Sequence, residues 1–180
     1  MSICKELLKE SCPDKCTWPC LCYKYGTGHI DGTMKKYLAT RTHWNFKDPW
    51  LYERAGDILI EFYNFFDKKA TIWPMFGTLL GLVRDKGVMP HDDDIDFGFF
   101  KKDEEKVIEV LDSLHGNHGY EVIRNQFGTI CTVFKEDIYI DLYIFERTDT
   151  EQINQGHRHF YNLLEEEVFP FSKIKFRNTE

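Results

Sequence analysis

The sequence predicts an α/β (α+β) domain, a mixed β-sheet flanked by helices. Three observations carry this expectation. An amphipathic helix begins sharply after Asp48, carboxylate and apolar residues alternate from Asp94 to Phe100 as in a strand, and the chain beyond Tyr120 is rich in short strand-like runs. With 180 residues, the length suits one domain with a small appendage. Hydrophobic residues make up 42% and aromatics 16%, enough to build a core and too many for a disordered chain.

Composition shifts near residue 48. Residues 1–47 hold five of the six cysteines and a weakly periodic Gly/Thr/Lys stretch, and are read as a loop-rich, cysteine-rich arm; 48–180 are read as the folded domain. At Asp48 a capping carboxylate precedes Pro49, which suits the first helical position. Leu51, Ala55, Ile58, Leu59, Phe62 and Phe66 then recur at helical spacing. Thr71 to Phe76 reads as a short strand entering Gly77, and Leu79 to Arg84 as a short helix or turn. Asp94 to Phe100 is a strand. Asp103 to Leu114 is a second helix with Val107, Leu111 and Leu114 on one face, stopping at Gly116. Strands are expected at Tyr120–Asn125, Gly128–Lys135, Ile138–Phe145 and Lys173–Phe176, with a helical segment around Tyr161–Glu167.

Charge excludes one class of function. Lysine and arginine number 23 against 30 aspartates and glutamates, a formal net charge of −7, which is the wrong sign for a protein that coats nucleic acid; a local basic pocket for one phosphate remains compatible with it. The richest apolar run, Ile58 to Phe66, is broken by Glu61 and Asn64, so no membrane span is expected. Met1 to Lys15 is charged and lacks an apolar segment, so no secretory signal is read and a cytoplasmic protein with reduced thiols is expected. A Golgi or other secretory-pathway location is the alternative if the chain is a fragment.

The chemistry is concentrated in Phe76 to Phe100, FGTLLGLVRDKGVMPHDDDIDFGFF. Side chains alternate faces along a strand, so Asp94 and Asp96 share one face while Ile95 and Phe97 take the other. Residues two apart lie roughly 6.5–7 Å apart at Cα, close enough for both carboxylates to reach one metal ion. Asp92 and Asp93 bring the count to four carboxylates in five positions. At ~7 Å each pair repels by about 0.6 kcal/mol in water and a few-fold more near protein, which a divalent cation would offset. In Ile138 to Phe145 the aliphatic residues fall on one face and Asp141 on the other, so Asp141 joins Asp94 and Asp96 if its strand is adjacent. Three such carboxylates suit Mg²⁺ or Mn²⁺ and phosphoryl or nucleotidyl transfer. Gly77 and Thr78, between strand and helix, can bring backbone N–H groups up to a phosphate. Two plainer readings compete: an acidic turn or solvated surface, and a calcium loop. The loop fails in detail, since its sixth position should be Gly and is Phe97, and its twelfth should be Glu and is Asp103.

The run Gly77-Thr78-Leu79-Leu80-Gly81-Leu82-Val83-Arg84, then Val88-Met89-Pro90-His91-Asp92-Asp93-Asp94-Ile95-Asp96, closely resembles the motif of the LicD and fukutin family of phosphotransferases, GTLLGLVR followed by a spacer and IPWDDDID. The resemblance runs more weakly over about residues 48–176. It implies a nucleotidyltransferase-like fold and a Mg²⁺- or Mn²⁺-dependent transfer of a phospho-alcohol, such as phosphocholine or ribitol phosphate, from a CDP-linked donor to a glycan or cell-surface precursor hydroxyl. Asp94, Asp96 and Asp141 match the family's metal-binding and catalytic carboxylates, Asp141 being the residue for a general base. Gly77 and Thr78 match the turn that contacts donor phosphate, and Asp92 and Asp93 fall within the substrate-binding motif. Arg84 matches a basic position for phosphate, against an alternative surface pair with Asp85 or Asp92. His91 stands where the family usually has Trp or Tyr. Family members usually continue past this chain's last residue, so a fragment or minimal version is expected. The rival expectations are a nucleotidyltransferase that leaves NMP on its acceptor, and a truncated, non-catalytic relative that binds a partner through the arm.

Cys12, Cys16, Cys20 and Cys22 are permissive for zinc, for disulfides or for free thiols, and the spacing does not choose among them. His157 and His159 flank Arg158, as site-lining residues or as surface loop.

Overall fold

The computed structural model describes residues 45–124, 130–148, 152–155 and 162–177. The cysteines of the arm, with the zinc and disulfide readings, and His157 and His159 lie outside them.

The first helix, α1 (Pro49–Phe65), starts as its sequence dictates. Asp48 Oδ1 accepts from the N–H groups of Trp50 (2.9 Å) and Leu51 (3.2 Å), satisfying two donors that a helix start leaves open. Leu51, Ala55, Ile58, Leu59 and Phe62 are buried along one stripe. Phe46, just ahead of the cap, is buried in the same core, and its N–H donates to Asp92 O at 3.0 Å.

Strand β1 (Ile72–Pro74) is shorter than the expected Thr71–Phe76. The chain leaves the sheet because Phe76 takes φ +44° and already begins α2 (Phe76–Arg84), so of the short helix or turn expected at Leu79–Arg84 the helix forms, starting three residues earlier. Strand β2 spans Asp94–Phe100 as expected, and a 3₁₀ turn at Lys101–Asp103 leads into α3 (Glu104–Leu114), which buries Val107, Val110, Leu111 and Leu114. Then come β3 (Glu121–Arg124), β4 (Ile130–Lys135), β5 (Ile138–Arg147), β6 (Gln152–Gln155), β7 (Asn162–Leu164) and the short α4 (Glu165–Val168).

Two expectations near the C-terminus are corrected. The segment Tyr161–Glu167 is not one helix: Asn162–Leu164 pairs with β6, which offers an open ladder, and only Glu165–Val168 is helical. Lys173–Phe176 alternates like a strand but forms no strand. Ile174 and Phe176 pack into the helix-side core instead, and Arg177 ion-pairs with Glu53 and Asp57 on α1.

The sheet runs β1-β2-β5-β4-β3, with β6 on β5 and β7 on β6. Among the named strands only β2 and β5 pair in parallel, and their crossover runs through α3, β3 and β4. The two faces differ in chemistry. Ile95, Phe97 and Phe99 of β2 join Ile138, Ile140, Leu142 and Ile144 of β5 under α1 and α3 in one core. On the opposite face the carboxylate end of β2 and β5 passes into a second cluster of Trp73, Phe100 and Phe145, with Met75, Tyr143 and Phe169 packed against it.

Gly98 of β2 lies directly against the indole of Trp73. A Cβ there would lie 2.7 Å from Trp73 Cε2 and 2.8 Å from its Nε1, and the indole is itself wedged against Phe100 and Phe171, with ring centroids 4.9 and 5.1 Å away. A rigid ring cannot yield as a flexible chain end does. Gly98→Ala is expected to cost about 1–3 kcal/mol, read as a lower urea midpoint at unchanged m-value.

Candidate active site

The acid site is built by register. Asp96 on β2 pairs with Asp141 on the parallel β5, following Asp94↔Tyr139 and Ile95↔Ile140 in the register, so the carboxylates of Asp96 and Asp141 leave the same face on neighbouring strands. Asp94 follows two residues before Asp96 on that face. The three are buried, 8%, 6% and 1% exposed, and each contributes an oxygen within 4.8 Å of the others. Carboxylates at this depth are surface charges in neither position nor cost, which removes the solvated-surface reading.

The donor set decides what can sit there. It is all carboxylate oxygen, with no thiolate or imidazole, and fits a hard cation such as Mg²⁺ or Mn²⁺. Oxygens on one Mg²⁺ at ~2.1 Å are at most ~4.2 Å apart, so this cluster closes on an ion with small side-chain adjustments.

The preceding acids form a second group. Asp92, Asp93 and Asp94 also bring oxygens within 4.8 Å of one another. Asp93 accepts from the Tyr139 hydroxyl at 3.0 Å, and Asp92 Oδ1 receives the Asp93 N–H at 3.3 Å. Half-buried, and then facing the charge on Asp94, the Asp92 carboxyl is pushed up to about 6.

Helix α2 reaches the cluster through its first turn. Met75 N–H donates to Asp96 O (2.9 Å), and the buried Thr78 Oγ1 accepts from Asp96 N–H (2.9 Å), so the turn is clamped to the middle of the site strand. The first internal helix bond is Leu79 N–H to Met75 O, which leaves the preceding N–H groups of the turn outside the helical ladder. Gly77 lies against Asp92: a Cβ there would be 2.1 Å from Oδ2, so a side chain at 77 and the observed carboxylate cannot coexist.

The structure therefore brings Gly77, Thr78, Asp92, Asp93, Asp94, Asp96 and Asp141 together. It does not bring Arg84. That residue ends α2, six positions and about 9 Å of helix rise beyond Thr78, and forms an exposed two-bond pair with Asp85 at 2.6 and 2.7 Å. His91 is exposed.

Two further side chains belong to the site, and the sequence motifs assign a role to neither. Thr132 Oγ1 on β4 donates to Asp141 Oδ1 at 2.7 Å. The Tyr143 phenol is raised well above its ordinary range by burial and then by the charges of Asp141, Asp96 and Asp94, so it stays protonated beside them; its ring meets Phe76 edge-on at 5.2 Å. Tyr143 was detectable, two residues from Asp141 on the same face. Thr132 was not, because its position depends on which strand lies beside β5.

An apolar cavity of about 610 Å³ lies at the β1 edge, with Leu59, Tyr63, Ile72, Trp73, Val83 and Phe171 in its wall, and none of the site aspartates borders it. No helix among the described residues is long and apolar enough to cross a membrane.

The chain is 28% identical over 152 residues to an uncharacterized protein of Rickettsia typhi, covering 73% of this chain and 48% of that protein. It is 32% identical over 153 residues to one of Rickettsia prowazekii, covering 73% of this chain and 56% of that protein. The chain thus spans about half the length of these curated relatives. Among solved structures it resembles, distantly, lincosamide antibiotic adenylyltransferase LnuA bound to lincomycin (TM-score 0.44, 19% identity, 62% of this chain and 67% of that one). It also resembles ANT(2")-Ia in complex with adenylyl-2"-tobramycin (TM-score 0.41, 16% identity, 62% and 55%). The model of the LicD/FKTN/FKRP nucleotidyltransferase domain matches residues 69–180, a span that contains β1, α2 and all the site aspartates. Because that match covers more than half of the sequence, the chain belongs to the LicD/FKTN/FKRP family of nucleotidyltransferase domains.

Proposed function

We propose that this domain is a cation-dependent phosphotransferase that moves a phospho-alcohol, such as phosphocholine or ribitol phosphate, from a CDP-linked donor to a hydroxyl of a glycan or cell-surface precursor. The observation that carries the reading is the convergence of Asp94, Asp96 and Asp141, three buried carboxylates on in-register parallel strands. Asp94, Asp96 and Asp141 would hold Mg²⁺ or Mn²⁺, which when bound neutralises charge on the donor phosphates.

The remaining work falls to the chain. The N–H groups of the α2 first turn, Gly77 and Thr78 among them, face an anion at a helix start and receive donor phosphate oxygens. Thr78 fixes that turn on Asp96, so phosphate and carboxylates keep one relative position. The acceptor oxygen attacks the phosphorus that carries the alcohol, its proton passes to Asp141, and the bond to the bridging oxygen breaks to release CMP. Arg84, held by Asp85, has no part in this scheme.

Products test it. With CDP-choline or CDP-ribitol, Mn²⁺ and a glycan acceptor, the expected outcome is CMP release with the phospho-alcohol on the acceptor. Free phosphocholine with CMP on the acceptor, or pyrophosphate from an NTP in place of turnover with any CDP-linked donor, would instead identify a nucleotidyltransferase that attacks the other phosphorus.

A further inference from the structure

Three neighbouring strands place one row of side chains across the site face. Asp96 of β2 is in register with Asp141 of β5, and Asp141 in turn with Thr132 of β4. Strand spacing puts about 4.8 Å between successive members. Thr132 thus flanks Asp141 on the side away from Asp96, and it is buried, 3% exposed, on a strand that carries apolar Val133 and Phe134 next to it.

A hydroxyl is costly at such depth unless it is bonded, and valine would fill the same β-branched volume without that cost. The bond it makes is to Asp141 Oδ1, at 2.7 Å. An ionised carboxylate only accepts, so Thr132 is the donor.

We propose that Thr132 is a positioning residue for the cation site, an inference that rests on the role assigned above to Asp94, Asp96 and Asp141. By occupying Oδ1, Thr132 fixes the rotation of the Asp141 carboxylate about its last bond, so that the group is already turned for the ion before the ion arrives. Ordering a ligand beforehand removes that cost from binding, and hydrogen bonds of this outer kind are worth about 10–100-fold in metal affinity. Thr78, the other buried threonine of the site, acts on the Asp96 backbone, so Thr132 alone of the two touches a ligand carboxylate.

The test is Mn²⁺ binding, followed by the electron paramagnetic resonance signal of the free ion, on wild type, Thr132→Val, Thr132→Ser and Asp96→Ala, beside the melting temperature of each without metal. Thr132→Val is expected to weaken Mn²⁺ binding about 10–100-fold, and Thr132→Ser, which restores the donor, to stay within a few-fold of wild type. Thr132→Ala supplies the same comparison if the valine variant does not fold. Wild-type Mn²⁺ affinity in a hydroxyl-less variant, with only its melting temperature lowered, overturns the positioning role while the loss of binding in Asp96→Ala keeps the cation site. Absence of Mn²⁺ binding by wild type overturns both.

Discussion

Asp96→Ala is expected to abolish cation-dependent transfer, by about 10³-fold or more, while leaving the fold in place. A bound cation supplies several kcal/mol of transition-state stabilisation, and each ~1.4 kcal/mol is a factor of ten in rate. The fold survives for electrostatic reasons. Three carboxylates with oxygens inside 4.8 Å repel in the absence of a cation, by about 1 kcal/mol per pair in water and 3–4 at an effective dielectric near 20. Removing Asp96 relieves two of those pairs, so the metal-free variant should melt no lower than the metal-free wild type. Added Mn²⁺ with CDP-choline should raise the melting temperature of wild type, by about 2.7 kcal/mol of stabilisation at a hundredfold excess over Kd, and leave the variant unmoved. Wild-type turnover in Asp96→Ala would mean that the reaction centre lies elsewhere.

Phe97→Ala, one residue along, should do the reverse. Phe97 is 1% exposed and sits among Phe62, at 5.6 Å between ring centroids, and Tyr63, at 6.5 Å, beneath α1. Emptying such a site costs about 3–5 kcal/mol, a large share of the 5–15 kcal/mol that stabilises an ordinary domain. The urea midpoint should fall by about a fifth or more at constant m-value, and Phe97→Leu, which keeps most of the volume, should lose less than half as much. At temperatures where the alanine variant is still folded, Mn²⁺ binding should persist, because the carboxylates project from the other side of the strand. A small loss in Phe97→Ala would place residue 97 outside the core and undo the assignment of faces on β2. The opposed outcomes at adjacent positions are the signature of a strand whose two faces serve chemistry and packing separately.

Much of this was legible in the sequence because it is local. The cap at Asp48, the stripe from Leu51 to Phe62 and the alternation Asp94-Ile95-Asp96-Phe97 each express a backbone period within one element, and they appear in the structure where they are written. The same periodicity put Asp141 on the opposite face from Ile140 and Leu142. What it could not do was choose partners. Ile174 and Phe176 alternate as a strand does, yet they pack into the core beneath α1, because a period of two records which side is apolar and not what covers it. The segment beginning at Asn162 became a strand because β6 offered it a ladder. Arg84, written inside the family motif, is carried by the rise of α2 away from the carboxylates and into a pair with Asp85.

By itself, then, the sequence determined the elements from α1 to β5 in outline, the faces of β2 and β5, the all-oxygen character of the donor set and, through the GTLLGLVR and HDDDID motifs, the family. The tertiary structure decided that β5 lies parallel to β2 with Asp141 level with Asp96, that β4 brings Thr132 to the far side of Asp141, that α2 is clamped on Asp96 through Thr78, and that Tyr143 shares the carboxylates' pocket. The physical reason is range. Hydrophobic period and capping act over a few residues and are spelled out in order, whereas strand pairing joins positions 45 apart such as Asp96 and Asp141, and those contacts exist only once the whole sheet has formed.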